Sequence, residues 1–215
     1  MQSADAHVIE ELLALPCGEL RLLRPRDAEA LLDEHAFEAD EFLPYWAELW
    51  PSGVALARKV GARAWHGARV LELGCGLGTV SIAAALAGAR VLATDWSSEA
   101  VRFAAENAKR SGAAIETLVC DWSRAQALVD RAPWDAVLAS DVLYERRNGE
   151  VLLELLPRLV GERGEVLLAD PERATAADFV AAAAVRFEVG STVLSSAPRV
   201  SLHRLRLRGG AGGPS

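Results

Sequence analysis

Three glycines at two-residue spacing, Gly74, Gly76 and Gly78 in "ELGCGLG", follow one apolar run and precede another. A strand-to-helix turn built this way lets backbone approach a ligand, because glycine lacks the Cβ that would stand in the way. The helix that follows adds unpaired N–H groups. A dinucleotide site uses G-x-G-x-x-G, with the pyrophosphate on the helix end. Here Thr79 stands where the third glycine of that fingerprint belongs, and Glu72 sets a carboxylate just before the turn. A carboxylate there repels a diphosphate and favours a cation. S-adenosylmethionine carries an ammonium and a sulfonium and no phosphate, so the pattern favours it over NAD.

Two further positions extend the reading. Asp95 follows a second apolar run, where an acid accepts the protons of ribose hydroxyls. Asp121-Trp122 follows a third, offering a polar edge to adenine N6 and an indole to stack on the ring. Each has a plain alternative: Asp95 and Ser97 are types that cap helices, and Trp122 is a type that fills cores. Their shared place, at the ends of three successive expected strands, is where open α/β sheets bind ligands.

The elements that must hold these residues follow from the apolar pattern. Strands are expected at 69–73, 90–94, 115–119, 135–140 and 164–169, with helices at about 78–87, 98–111, 124–130, 148–160 and 174–184. That alternation predicts a doubly wound α/β fold, mostly parallel and covered on both faces. Two final runs, "RFEVGSTVL" and "RVSLHRLRL", have a connection short enough for an antiparallel hairpin. "CGELRLLRP" reads as a strand and "PRDAEALLDEHAFEADE" as a capped helix. Residues 1–60 are expected to be an accessory segment on the same domain, 61–208 the cofactor-binding core, and 209–215 a disordered tail.

Composition narrows the classes. The 215 residues are 51% hydrophobic and 25% charged, with net charge −7. That balance disfavours nucleic acid and anionic membrane as partners and suits a cationic substrate. Cys17, Cys75 and Cys120 match no disulfide framework or metal clip, and His7, His35, His66 and His203 have no partner spacing. No metal site is expected. The opening "MQSADAHVIEELL" lacks a signal-peptide pattern, so a cytoplasmic location with reduced thiols is expected.

With these residues in view, the chain resembles the class I, seven-strand S-adenosylmethionine-dependent methyltransferases over about 40–208. "PYWAELWPSGVALA" before the glycines, "SDVLYE" (Ser140 to Glu145) after the fourth strand and "ADPER" after the fifth narrow it further. They resemble the branch holding the lysine methyltransferases of electron-transfer flavoprotein β-subunit, of calmodulin and of several chaperones and elongation factors. The resemblance implies that Trp50 packs over the cofactor and that Gly74, Cys75 and Gly76 cradle its methionyl part. Asp95 would hold the ribose, Asp121 and Trp122 border the adenine, and Ser140 meet the cofactor through backbone. Glu72 and Trp96 belong to the same cofactor-binding set. Asp141 and Tyr144 would line the methyl-transfer site as catalytic residues.

Methyl transfer from a sulfonium needs alignment more than acid catalysis, since the leaving thioether is neutral. Asp141 is expected to draw and orient an incoming ammonium, and Tyr144 to wall the channel. Tyr45 and Trp46 are expected to add an aromatic rim, with a cation–π contact available. The alternatives are a helix cap for Asp141 and simple packing for Tyr144 and Trp46. The acidic run "FEADEF" is a solvated face or a greeting surface for a basic substrate. The leading expectation is a monomeric protein-lysine N-methyltransferase. A small-amine N-methyltransferase is the first alternative, and a scaffold that has lost catalysis the second. The absence of an "NPPY"-type motif where "SDVLY" stands argues against amide and adenine acceptors.

Overall fold

The computed structural model describes residues 8–27 and 45–209. In chain order the elements are β1 (Val8–Leu15), β2 (Gly18–Pro25), α1 (Pro51–Gly61), β3 (Arg69–Leu73), α2 (Thr79–Leu86), β4 (Arg90–Asp95) and α3 (Ser98–Arg110). Then come β5 (Glu116–Val119), the single turn α4 (Gln126–Val129), β6 (Trp134–Ser140), α5 (Arg146–Leu159), β7 (Val160–Asp170), α6 (Ala174–Ala183), β8 (Phe187–Ser196) and β9 (Arg199–Leu207). Short 3-10 turns occupy Tyr45–Ala47 and Trp122–Arg124.

Seven strands form one sheet in the order β5-β4-β3-β6-β7-β9-β8, and β1 and β2 pair as a separate antiparallel hairpin. β5, β4, β3, β6 and β7 are parallel; β9 and β8 run antiparallel. The chain moves outward from β3 to β5 and then returns to the far side of β3 as β6. That reversal opens a crevice at the carboxyl ends of β3 and β6, the favoured ligand site of such sheets.

The parallel strands form because near-continuous apolar runs are stable only when covered on both faces. One face packs α1 and α2 with the β1–β2 hairpin, through Leu20, Leu56, Val60, Ile82 and Leu138. The other packs α4, α5 and α6 through Leu128, Leu152, Leu156 and Phe179. Helix α3 shows the local logic. Ser97 Oγ accepts from Ala100 N at 3.3 Å, Glu99 sits in the first turn, and Lys109 and Arg110 close the last. Its buried Ala100, Phe103, Ala104 and Asn107 share one face.

The sheet agrees with the sequence reading: β3 has the expected limits, and the C-terminal hairpin is antiparallel. Three differences have physical causes. Strand β1 precedes the expected strand, and the turn at Pro16-Cys17 makes them a hairpin. Helix α4 shrinks to one turn because Trp122–Arg124 takes up the start of its segment. Strand β7 begins at Val160, where Trp134 pairs with it before a register shift to Ala136–Glu165. The expected helix from Pro25 to Glu41, the "FEADEF" run and His7 and His35 lie in whole or most part outside the described residues. No helix among the described residues is long and apolar enough to cross a membrane.

Candidate functional site

The carboxyl ends of β3, β4 and β6 surround a cavity of about 330 Å³. Its floor is the turn after β3. Cys75 N donates to Thr94 O at 2.9 Å, and Gly78 N donates to Cys75 O at 2.8 Å. Gly74 has φ +72°, and a Cβ there would lie 3.1 Å from Val142 Cγ1 and 3.4 Å from Trp122 Cζ2. Gly76 has φ +49°, and its Cβ would lie 3.1 Å from Trp46 O. Both positions therefore need glycine for conformation and for room. Asn107 ties the turn to the hairpin: its Nδ2 donates to Leu77 O and Leu23 O, each at 3.0 Å, and its Oδ1 accepts from Leu23 N at 2.7 Å.

Glu48, Glu72, Asp95 and Asp141 line the cavity, with Arg173 the one cation among the described lining residues. Asp95 is 4% exposed. Its Oδ2 accepts from Gly76 N and its Oδ1 from Ser97 N, each at 3.0 Å. Burial raises its pKa, and these N–H groups oppose the rise. Glu72 Oε2 accepts from Ser81 N at 2.9 Å and from Ser81 Oγ. Burial pushes its pKa up to about 8, with Ser81 opposing. A carboxylate strained in this way gains most from a nearby cation.

Asp141 sits just past β6 with φ +57°, uncommon for a residue with a Cβ. Its N donates to Ala169 O at 3.0 Å. Its Oδ1 accepts from Arg173 Nη1 at 2.5 Å. Its Oδ2 is buried without a hydrogen-bond partner among the described residues, as is Trp122 Nε1. Arg173 also reaches Asp170 Oδ2 at 3.2 Å, and Asp170 is fully buried. Burial opposes the Arg173 charge, and the two carboxylates outweigh it and raise its pKa.

Aromatic rings edge the opening. Tyr45 and Tyr144 have centroids 5.3 Å apart, Tyr45 and Trp50 6.1 Å. Trp50 Nε1 donates to Tyr45 O at 2.7 Å. Trp96 is 51% exposed and Trp50 37%. Burial raises the Tyr144 pKa, so its hydroxyl keeps its proton.

The cavity brings together Trp50, Glu72, Gly74, Cys75, Gly76, Asp95, Trp96, Trp122, Ser140, Asp141 and Tyr144. Asp121 is not among its lining residues. Its side chain accepts from Ser123 N and Ser123 Oγ, each at 2.8 Å, capping the 3-10 turn. Trp46 lines the cavity but also packs on Phe103, centroids 5.3 Å apart. Burial holds the Cys75 thiol well above its ordinary pKa, with Asp95 and Glu72 adding to the rise, so it is a poor nucleophile. Sequence reasoning gave no role to Arg173, Gly53 or Val142. The only sequence signal for Arg173 was its place in "ADPER", one short segment after a strand end.

The set fits an adenosine ligand with a cationic amino-acid end. The glycine cradle gives close approach, Asp95 offers acceptors, and Glu72 gains from an ammonium. An orphaned acceptor, Asp141 Oδ2, remains beside it. Among the described residues no group of three or more His, Cys, Asp or Glu is placed to hold a metal ion.

A family model described as lysine methyltransferase matches residues 43–183. An electron transfer flavoprotein beta subunit lysine methyltransferase of Xenopus laevis is 35% identical over 137 residues, 61% of this chain and 54% of that protein. A histone-arginine methyltransferase, METTL23, of Xenopus laevis is 33% identical over 127 residues, 55% of this chain and 53% of that protein. The chain thus spans about half the length of these relatives. The crystal structure of a SAM-dependent methyltransferase from Agrobacterium tumefaciens superposes with TM-score 0.67 at 16% identity, over 95% of this chain and 72% of that one. That likeness concerns the fold.

Proposed function

The chain belongs to the lysine methyltransferase family, and from that premise we propose that it methylates the ε-amino nitrogen of a lysine presented by another protein. S-adenosylmethionine is the cofactor, and when bound it supplies an electrophilic methyl on a sulfonium. Asp95 would accept from the ribose hydroxyls, Gly74, Cys75 and Gly76 would cradle the methionyl chain, and Glu72 would attract its ammonium. Trp50, Trp96 and Trp122 would pack against the ligand, with Ser140 at its edge; Asp121, engaged with Ser123, would act by fixing the Trp122 turn.

The acceptor nitrogen needs a lone pair. An exposed lysine has a pKa of about 10.4, and an ammonium taken from water among Tyr45, Trp50 and Tyr144 loses its proton more readily. Asp141 Oδ2 would accept one N–H and so aim the nitrogen. Tyr144, protonated and packed at a tilt against Tyr45, would wall the channel. The observation that carries the reading is this buried, unpartnered Asp141 oxygen beside an acidic cavity. Buried acceptors without partners are costly and rare.

Exposed Tyr45, Trp50 and Trp96 at the opening support a macromolecular acceptor over a small amine. Net charge −7 supports a protein and not nucleic acid as that acceptor. Free Cys17, Cys75 and Cys120 support a reducing, cytoplasmic setting. We take the chain to act as a monomer, with the β1–β2 hairpin part of its single domain through Leu20 and Leu22. Incubation with methyl-labelled S-adenosylmethionine and a cell lysate tests the reading. Label on lysine within a protein band is the expected result. Label confined to the low-mass fraction points to a small amine and overturns it.

A further inference from the structure

Asp141 and Arg173 form half of a familiar recognition unit. A guanidinium pairs with a carboxylate as a fork, two N–H groups on two oxygens. An ammonium is a point charge with three rotatable donors and no fixed fork to match. At Asp141 one side of the fork is already taken, because Arg173 Nη1 holds Oδ1 at 2.5 Å. Arg173 is itself anchored by fully buried Asp170, whose Oδ1 accepts from Arg173 N at 2.7 Å and whose Oδ2 lies 3.2 Å from Nη1. The other oxygen, Asp141 Oδ2, is buried and has no hydrogen-bond partner among the described residues.

We propose that Arg173 is a specificity-determining residue that admits an alkyl amine to the Asp141 seat and rejects an alkyl guanidine. This rests on the amine-acceptor reading above. Two physical effects act together. A guanidinium entering the seat finds one acceptor oxygen where it needs two, so at least one of its donors is desolvated without a partner. It also keeps its charge beside Arg173, since a guanidinium stays protonated in a protein site. Once deprotonated, an amine has two N–H donors and no fixed fork to satisfy, and desolvation favours that neutral form where a guanidinium stays charged. The question is a live one for this scaffold, since the matched relatives carry both lysine and arginine in their names.

The test uses the full chain saturated with S-adenosylhomocysteine and two probes of side-chain chemistry, n-butylamine and n-propylguanidine, titrated by ligand-observed NMR. The wild type is expected to bind butylamine about tenfold more tightly, the worth of one charge-assisted hydrogen bond. Arg173→Met removes that preference, and Arg173→Lys, which keeps a cation on Oδ1, restores it. The ratio of two probes is not moved by a merely structural role. Equal or tighter wild-type binding of propylguanidine overturns the assignment, as does a full preference surviving in Arg173→Met. Should Arg173→Met fail to hold S-adenosylhomocysteine, the wild-type ratio decides, and anything under about tenfold overturns the assignment. Binding of neither probe to the loaded wild type overturns the amine-acceptor reading itself, and this inference with it.

Discussion

Two carboxylates at opposite ends of the sheet, Glu165 buried and Asp141 with one oxygen buried, meet arginine in different ways. Glu165 lies where β7 resumes its pairing with β6 after the register shift, and its two oxygens are taken separately: Arg63 Nη1 on Oε1, Arg204 Nε on Oε2. Burial tends to raise its pKa, and the two guanidinium groups outweigh it and hold it below the ordinary carboxylate range. Asp141 lies at the other end, just past β6, with one oxygen held by Arg173 and one held by nothing among the described residues. A completed clamp uses its whole polar capacity inside the fold. An incomplete one retains an acceptor for something outside the chain. Burial and charge are common to both ends, so the difference in satisfaction is what separates a structural ion pair from a functional one.

The largest effect is expected at the incomplete end. Asp141→Asn keeps the shape and replaces one acceptor oxygen by a donor, so turnover should fall by about 10²-fold, the cost of a misplaced reactant. Binding of S-adenosylhomocysteine should stay near the wild-type value if Asp141 meets the acceptor, as proposed, and not the ribose. Calorimetry beside a methyl-transfer assay checks this. Parallel losses in both would put Asp141 in the cofactor's site and break the contrast.

Glu72 is a third case, buried and held by Ser81, with no cation paired to it among the described residues. On the proposed reading Glu72→Gln should weaken S-adenosylhomocysteine binding by about tenfold, since a bound ammonium would draw Glu72 into its charged form and the amide cannot follow. The stability of the ligand-free chain should move the other way. The folded pKa, about 8, lies above the ordinary 4.5. The Glu72 contribution is therefore intact below pH 4.5 and is lost as pH rises through about 8. Chemical denaturation of wild type and Glu72→Gln should show the variant gaining relative stability across that window. A constant difference would mean that Glu72 does not titrate there.

At the complete end the effects should be small and purely structural. Glu165→Gln should cost about 1 kcal/mol, because Arg63 and Arg204 are half exposed and their pairing is screened. Turnover should not change. The folded pKa of Glu165 is depressed, so its stabilising contribution is present above the ordinary 4.5 and is lost as pH falls through the folded value. Denaturant midpoints of the two proteins should converge below pH 4.5. A drop in turnover at neutral pH would show that this clamp reaches the site after all.

How much of this was legible in the chain depends on whether the cause is local. The limits of β3 follow from an apolar run stopped by a glycine, and β4 and β6 from runs that only a doubly covered sheet tolerates. The grouping of Gly74, Asp95 and Trp122 follows from one rule about strand ends. Arg173 was invisible in role, because its meeting with Asp141 depends on β6 and β7 ending side by side, a register that no local pattern encodes. Asn107 is similar: it reads as one more helix residue, yet it joins the hairpin to the glycine turn across 84 and 30 residues. Asp121 is legible in part: its place after β5 suits an adenine edge, while its Oδ1 bonds to Ser123 belong to a 3-10 turn that no apolar pattern announces.

The most direct test of the account is calorimetric titration of the purified chain with S-adenosylhomocysteine and, in parallel, with NAD. Saturable one-to-one binding of the first and no heat from the second is the predicted result. Firm binding of NAD without binding of S-adenosylhomocysteine would contradict the account at its foundation, because the glycine cradle, Asp95 and Glu72 would then serve a different ligand.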